Sequence, residues 1–174
     1  MSEEFDKKIV VVTGASRGIG KTIAQEFSKQ GSTIMCLSTR KENCSTVVDA
    51  IRDAGGNAFA FGCRVEISDE VTETFETIKV EHGPVDILVN NAGVSLPTPT
   101  LNMTEENWDQ HMNINCKSIF LCSQAVARMM KNNNGGNIVN IGSILGRNAF
   151  PATLGYCTTK AAVDQMTKVL AIEW

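Results

Sequence analysis

The sequence predicts a doubly wound α/β fold, a parallel sheet with helices on both faces. Three observations predict it. Short apolar and β-branched runs, the composition of strands buried on both sides, recur along the chain. Between them lie segments whose apolar residues return every three to four positions, so that each can rest one face on a sheet. Glycines or a glycine–proline pair mark the junctions, and this regular alternation calls for parallel strands joined by helical crossovers.

The first element is the β-branched run Ile9 to Val12, ending in Thr13 and Gly14, which reads as a buried strand entering a tight turn. From Gly18 the residues Ile19, Ile23, Ala24 and Phe27 keep helical spacing until Gly31 stops them. Thr33 to Leu37 is strand-like. Cys44 to Ala54 carries Val47, Val48 and Ile51 at helical spacing, and after Gly55 and Gly56 a strand is expected from Asn57 to Phe61. Ser68 is the expected N-cap of a helix through Val71, Phe75 and Ile78. Beyond Gly83 and Pro84, Val85 to Val89 is the next buried strand. Gly93 to Met103, with Pro97 and Pro99, has the least regular pattern and is expected past a strand's carboxyl end, the edge where open α/β sheets bind ligands. Thr104, followed by Glu105 and Glu106, opens a long helix reaching about Lys131. Residues 132–136 form a turn, Ile138 to Ile141 a strand, and the segment from about Gly155 to Trp174 a final helix. No linker or low-complexity tract divides the chain, so one domain over residues 1–174 is expected.

Composition narrows the function classes. With 174 residues, 43% hydrophobic and 20% charged, the chain can bury one continuous core. Its net charge of −3 and isoelectric point near 5.4 argue against nucleic-acid or anionic-membrane partners, which select concentrated basic surfaces. The six cysteines stand without a CxxC pair or a histidine cluster, so free thiols are expected rather than a disulfide framework, and no metal site is expected. The N-terminus lacks an apolar signal region and no apolar run approaches bilayer length, which predicts a cytoplasmic protein.

The turn Thr13-Gly14-Ala15-Ser16-Arg17-Gly18-Ile19-Gly20 joins the first strand to the first helix. Its glycines allow a tight turn and close backbone approach to a pyrophosphate at the helix N-terminus. A purely structural turn has the same glycines, but its place inside a βαβ unit favours a dinucleotide. The end of the second strand reads Leu37-Ser38-Thr39-Arg40. An acidic side chain there would accept a hydrogen bond from the ribose 2′-hydroxyl and repel a 2′-phosphate. None is present, while Arg40 and Arg17 can clamp a phosphate by charge-assisted bonds, so NADP(H) is expected over NAD(H).

Tyr156 and Lys160 are four residues apart and share a face if the segment is helical. A tyrosine hydroxyl ordinarily ionises near pH 10. A nearby ammonium favours the phenolate and lowers that value, as proton transfer at neutral pH requires. Tyr156 is the only tyrosine, and Ser143 lies thirteen residues before it, just past a predicted strand.

The glycine spacing resembles the TGxxxGxG variant of the classical short-chain dehydrogenase/reductase family, whose fold is of the Rossmann type. Asn90-Asn91-Ala92-Gly93 resembles that family's NNAG segment, and Ser143 and Tyr156-Cys157-Thr158-Thr159-Lys160 stand at family-like separations. The resemblance covers essentially the whole chain and is closest in kind to 3-oxoacyl carrier-protein reductases and carbonyl reductases. It implies that Ser143 binds the substrate carbonyl, that Tyr156 donates a proton to it, and that Lys160 lowers the tyrosine pKa and holds the nicotinamide ribose. It also implies that Asn115, in the long helix, positions a water linking Lys160 to solvent. Asn91, Ala92 and Gly93 would border the cofactor. The family's third strand ends in Asp-Val; here it ends in Arg64 and Val65, and Arg64, unable to accept from the adenine amino group, would stack on adenine or join the phosphate clamp. The substrate is then a small-molecule or acyl-thioester carbonyl compound, and a homodimer or homotetramer is implied. His82 and His111 match no catalytic position and are read as surface residues; Cys157 is read as a half-buried packing residue.

The final residues, Thr167 to Trp174, carry neither a capping glycine nor a terminating proline. Relatives continue into a substrate lid and last strands, so the fold is expected to be C-terminally incomplete as written. A truncated or non-catalytic relative that binds nucleotide without turnover is the alternative reading.

Overall fold

The computed structural model describes residues 5–133 and 135–174. Five strands form one fully parallel sheet: β1 (Ile9–Thr13), β2 (Thr33–Ser38), β3 (Asn57–Gly62), β4 (Ile87–Asn90) and β5 (Asn137–Asn140). Their order is β3-β2-β1-β4-β5, so the chain reverses its direction of winding at β1, and β1 and β4 flank that point. The helices are α1 (Gly18–Lys29), α2 (Ser45–Asp53), α3 (Ser68–His82), α4 (Glu105–Met112), α5 (Ser118–Lys131) and α6 (Leu154–Glu173).

The period-two alternation of the strands explains the two-sided core. In β1, Val10 and Val12 point to one face and Val11 to the other; Ile34 and Cys36 alternate with Met35 and Leu37 in β2, and Ile87 and Val89 with Leu88 in β4. On the first face they meet Ala24 of α1 and Val47, Val48 and Ile51 of α2. On the second they meet Val71, Phe75 and Ile78 of α3 and Val126, Met129 and Met130 of α5. Burying a side chain such as Phe75 or Ile78 completely contributes roughly 1.5–3 kcal/mol, which is why helices cover both faces of the central strands β1, β2 and β4.

Strands, glycine breaks and most helix starts agree with the sequence pattern within one or two residues. Three expectations need correction. The long helix is not continuous: a π turn at Asn113–Lys117 separates α4 from α5. Ser68 is the first helical residue of α3 rather than its cap, that position being held by Ile67 without a side-chain cap. His82 is half-buried rather than a free surface residue, its ring packing at a tilt of 39° against Phe59 with centroids 4.1 Å apart. Thr104 does cap α4, accepting from the Asn107 amide at 3.1 Å. The expected turn over 132–136 includes Asn134, which lies outside the described residues. Among the described residues, no helix is long and apolar enough to cross a membrane.

Candidate active site and cofactor cleft

The carboxyl ends of β1, β2 and β4 meet at a single threonine. Thr13 Oγ accepts from the amides of Asn91 and Ala92, both at 3.0 Å, and donates to the Val89 carbonyl. The Asn91 side chain returns the contact, donating to the carbonyls of Thr13 and Gly14 at 2.9 and 3.1 Å. The Ala15 amide bonds the Leu37 carbonyl of β2 at 3.0 Å. Gly14 needs its glycine twice over: its φ is +64°, and a Cβ would lie 2.9 Å from Ala92 Cα. Gly20 lies equally close to Gly14, a Cβ there falling 2.5 Å from the Gly14 carbonyl oxygen.

Gly18 differs. Its φ is +55°, yet nothing lies within 4 Å of where its Cβ would be. The start of α1 beside it has no side-chain cap and no acidic residue in its first turn. An uncapped, acid-free helix N-terminus under a concave glycine turn fits an anionic pyrophosphate. Ser16, Arg17 and Ile19 line the same turn, with Ile19 largely exposed although it sits in an otherwise buried rhythm.

At the end of β2, Ser38 Oγ donates to the Arg40 carbonyl at 2.6 Å, and Asn43 donates to Thr39 Oγ at 3.3 Å, so the turn is ordered from its own side chains. Arg40 and Arg17 are both exposed, and neither belongs to an ion pair among the described residues. Arg64 is otherwise engaged. Its guanidinium and its own amide both bond Glu70, with Nε–Oε1 at 2.7 Å and N–Oε2 at 2.8 Å. The pairing holds the Glu70 carboxyl below and the Arg64 guanidinium above their ordinary ranges, chiefly through that hydrogen bond. Val65 points inward and belongs to the core beside Val71.

The other half of the site lies where β4, the π turn and α6 converge. Asn115 is fully buried within the π turn; its Oδ1 accepts from the Val94 amide at 2.7 Å and its Nδ2 donates to the Val94 carbonyl at 2.8 Å. The same Nδ2 reaches Thr159 Oγ at 3.2 Å, tying this turn to the helix that carries Tyr156 and Lys160. A Cβ on Gly93 would stand 3.3 Å from Asn115 Oδ1, so only a small residue fits between them. Lys160 is 5% exposed; its Nζ donates to the Ile141 carbonyl at 2.6 Å and lies 5.7 Å from the Tyr156 ring centroid. Burial pushes its pKa below the ordinary 10.5, opposed in smaller measure by Asp164. Ser143 opens a short 3-10 turn, accepting from the Leu145 amide at 3.1 Å. That turn rests on α6: a Cβ on Gly146 would fall 2.9 Å from the Lys160 carbonyl oxygen, and Arg147 pairs with Asp164 at 3.2 Å.

The structure thus brings Asn115, Ser143, Tyr156 and Lys160 to one end of the sheet, with Gly14, Asn91, Ala92 and Gly93 next to them. Thr13 carries as many of the connecting bonds as any of these and Thr159 ties Asn115 to α6, and neither stood out in the sequence. Asn90 joins strands, donating to Ser123 Oγ and to Asn140 Oδ1, its register partner in β5. His111, expected at the surface, is 1% exposed. Its Nε2 accepts from the Leu96 amide at 3.2 Å and its Nδ1 bonds the Asn107 carbonyl at 2.8 Å. The repeat of Asn107, His111 and Asn115 at four-residue intervals was the visible signal for it.

Residues 8–174 match the family model described as short chain dehydrogenase. The chain belongs to that family. It is 34% identical over 171 residues to a 3beta-hydroxysteroid dehydrogenase of Mediterraneibacter gnavus, covering 98% of this chain and 62% of that one. It is 36% identical over 167 residues to the 3-oxoacyl-(acyl-carrier-protein) reductase FabG of Staphylococcus epidermidis, covering 95% of this chain and 68% of the relative. The fold matches a metagenomic short-chain oxidoreductase solved in complex with NADP, with a TM-score of 0.94, 32% identity, and 99% and 78% of the two chains covered. This short-chain dehydrogenase therefore spans about two thirds of the length of the curated relatives it matches.

Proposed function

We propose that the protein is an NADP(H)-dependent oxidoreductase that reduces a ketone or aldehyde carbonyl to an alcohol, with Tyr156 as the general acid. The observation that carries this reading is Lys160. A lysine four residues from a tyrosine is ordinarily a solvated neighbour, whereas this ammonium is 5% exposed, fixed on the Ile141 carbonyl and 5.7 Å from the tyrosine ring. That position sets a buried cation next to the side chain that would hand its proton to the substrate.

When bound, NADP(H) supplies the hydride. The protein's part is placement and polarisation. Gly14, Ser16, Arg17, Gly18, Ile19 and Gly20 would hold the pyrophosphate, Asn91, Ala92 and Gly93 would border the nicotinamide side, and Lys160 would hold its ribose. Thr39 and Arg40, with Arg17, would take the 2′-phosphate; the lack of a carboxylate at the end of β2 and two arginines in no ion pair among the described residues support NADP(H), as does the NADP bound to the metagenomic relative. The adenine side rests on Val65 and Arg64, and Arg64 would have to exchange Glu70 for the cofactor to take part. Ser143 would donate to the substrate oxygen and Tyr156 would transfer its proton there as negative charge develops. Asn115 would border the water that links Lys160 to solvent, its own amide being engaged with Val94 and Thr159.

A 3-oxoacyl thioester or a small carbonyl compound is the substrate class that the named relatives favour, and a homo-oligomer is the expected assembly. Tyr156→Phe tests the mechanism. Carbonyl reduction should fall by roughly 10²–10⁴-fold, the usual contribution of a positioned acid, while NADPH fluorescence titration gives an unchanged affinity. Wild-type turnover in that variant would overturn the assignment.

A further inference from the structure

Asn107, His111 and Asn115 lie at intervals of four residues on the inner side of α4 and the π turn, and each bonds an alternate residue of the segment that follows β4. Asn115 brackets both backbone groups of Val94, at 2.7 and 2.8 Å. His111 Nε2 accepts from Leu96 N at 3.2 Å. Asn107 Nδ2 donates to Thr98 Oγ at 3.2 Å. The two spacings agree: two residues of extended chain advance about 6.6 Å, and four residues of helix about 6 Å. The segment therefore lies along the helix with opposite polarity, residue 94 at the far rung and residue 98 at the near one.

The middle rung has its chemistry fixed. The Asn107 carbonyl can only accept, so Nδ1 of His111 carries the proton, and Nε2 is left with a lone pair for Leu96. The same ring is the floor under α6: a Cβ on Gly155, one residue before Tyr156, would come 2.8 Å from His111 Nδ1. The near end of the segment is tied to the same helix entrance, Thr98 N donating to the Ala152 carbonyl at 2.8 Å. Ala152 holds a left-handed φ of +63°, an unfavourable conformation for a residue with a Cβ and a mark that this junction is determined from outside itself.

We propose that this ladder is a positioning device, and that His111 is its register-setting member. It fixes which residues of the 94–98 segment face the site and, through Gly155 and Ala152, where the first turn of α6 presents Tyr156. The catalytic part of the statement rests on the reductase reading above; the register part does not. A ring nitrogen that cannot shift its acceptor by one residue prevents the segment from sliding, as an aliphatic side chain at position 111 would not.

Two variants separate the acceptor from the volume. His111→Gln keeps an acceptor near the ε position, and His111→Phe keeps a ring and removes it. Amide hydrogen exchange read at Leu96 by NMR should accelerate about tenfold or more in His111→Phe, the effect of leaving a half-buried N–H unpaired, and stay near the wild-type rate in His111→Gln. In carbonyl reduction, kcat should fall about tenfold in His111→Phe with NADPH affinity unchanged, and be restored in His111→Gln. Unchanged Leu96 exchange in a folded His111→Phe, or equal acceleration in both variants, would overturn the proposal. If His111→Phe does not fold, His111→Gln decides alone: retained protection at Leu96 supports the ladder and a tenfold loss refutes it. A wild-type protein that reduces no carbonyl would end the reductase reading while leaving the Leu96 result to judge the register.

Discussion

Thr13 concentrates more of the site's connectivity than any residue of the proposed reaction. One hydroxyl receives two amides from the segment after β4 and donates back to β4, so β1 and β4 are locked together where the winding reverses. Thr13→Val keeps the shape and leaves two amides without an acceptor; an unfolding free energy lower by about 1–3 kcal/mol in urea titration is expected. Arg40 bears on the cofactor. Arg40→Asp replaces a phosphate partner with a group suited to a ribose hydroxyl, and NADPH affinity should fall about tenfold or more relative to NADH, measured by paired fluorescence titrations. Cys36 bears on pH. Burial, with the neighbouring Cys44 as a smaller cause, pushes its thiol from 9.0 up to about 12. The folded-state value is raised, so the stability it contributes is complete below pH 9 and is lost between about 9 and 12 as the unfolded chain ionises first. Urea midpoints measured across that window should fall less steeply in Cys36→Ala than in the wild type. The legibility of individual residues divides along the same line. Tyr156 with Lys160, and the glycines, are patterns within a few positions of sequence. Thr13, Thr159 and His111 take their importance from segments elsewhere in the chain, and of the three only His111 has a local signal, its four-residue spacing from Asn107 and Asn115.

The glycine turn and the start of α1 illustrate what an element contributes beyond its residues. Gly14 and Gly55 both hold positive φ, but a Cβ on Gly14 would be 2.9 Å from Ala92 Cα, whereas around Gly55 there is open space. Both alanine variants incur the left-handed backbone cost of about 1–2 kcal/mol; Gly14→Ala should lose clearly more, and lose NADPH binding as well, in thermal unfolding with and without cofactor. Equal losses in the two would mean that the approach of β4 to the turn is unimportant. Strands and helices here were readable because a period of two and a period near three and a half are visible in apolar residues alone. The π turn was not. Residues 105–131 keep a helical rhythm on either side of it, and a single widened turn changes only the phase between two stretches that each look regular. In a uniform α-helix residues four apart advance about 40° past one full turn, and the wider turn at Asn113–Lys117 falls where Asn115 forms the last rung of the ladder.

At the scale of the molecule, the parallel sheet and its two-sided core followed from the alternation of apolar strands and amphipathic helices, and the location of the site followed from the sheet, since ligands meet open α/β sheets at the carboxyl edge. What the alternation leaves open is how each margin of the sheet is finished. The outer side of β5 carries no strand among the described residues, and beside it runs a groove of about 820 Å³ lined in part by Phe120, Ile138, Leu170 and Trp174. Val139 of β5 and Phe120 are each 45% exposed. An unpaired strand beside apolar surface promotes association between chains, so the sedimentation coefficient of this 174-residue chain should rise with concentration, and Val139→Lys should suppress that rise. A concentration-independent wild type would show the margin to be inert. The widened turn between α4 and α5 also sets the phase between two commitments, α4 to the polar rungs and α5 to the core through Val126, Met129 and Met130. Removing one residue there would turn one half by about 100° against its partners. Neither half could then keep its contacts without the other giving up its own.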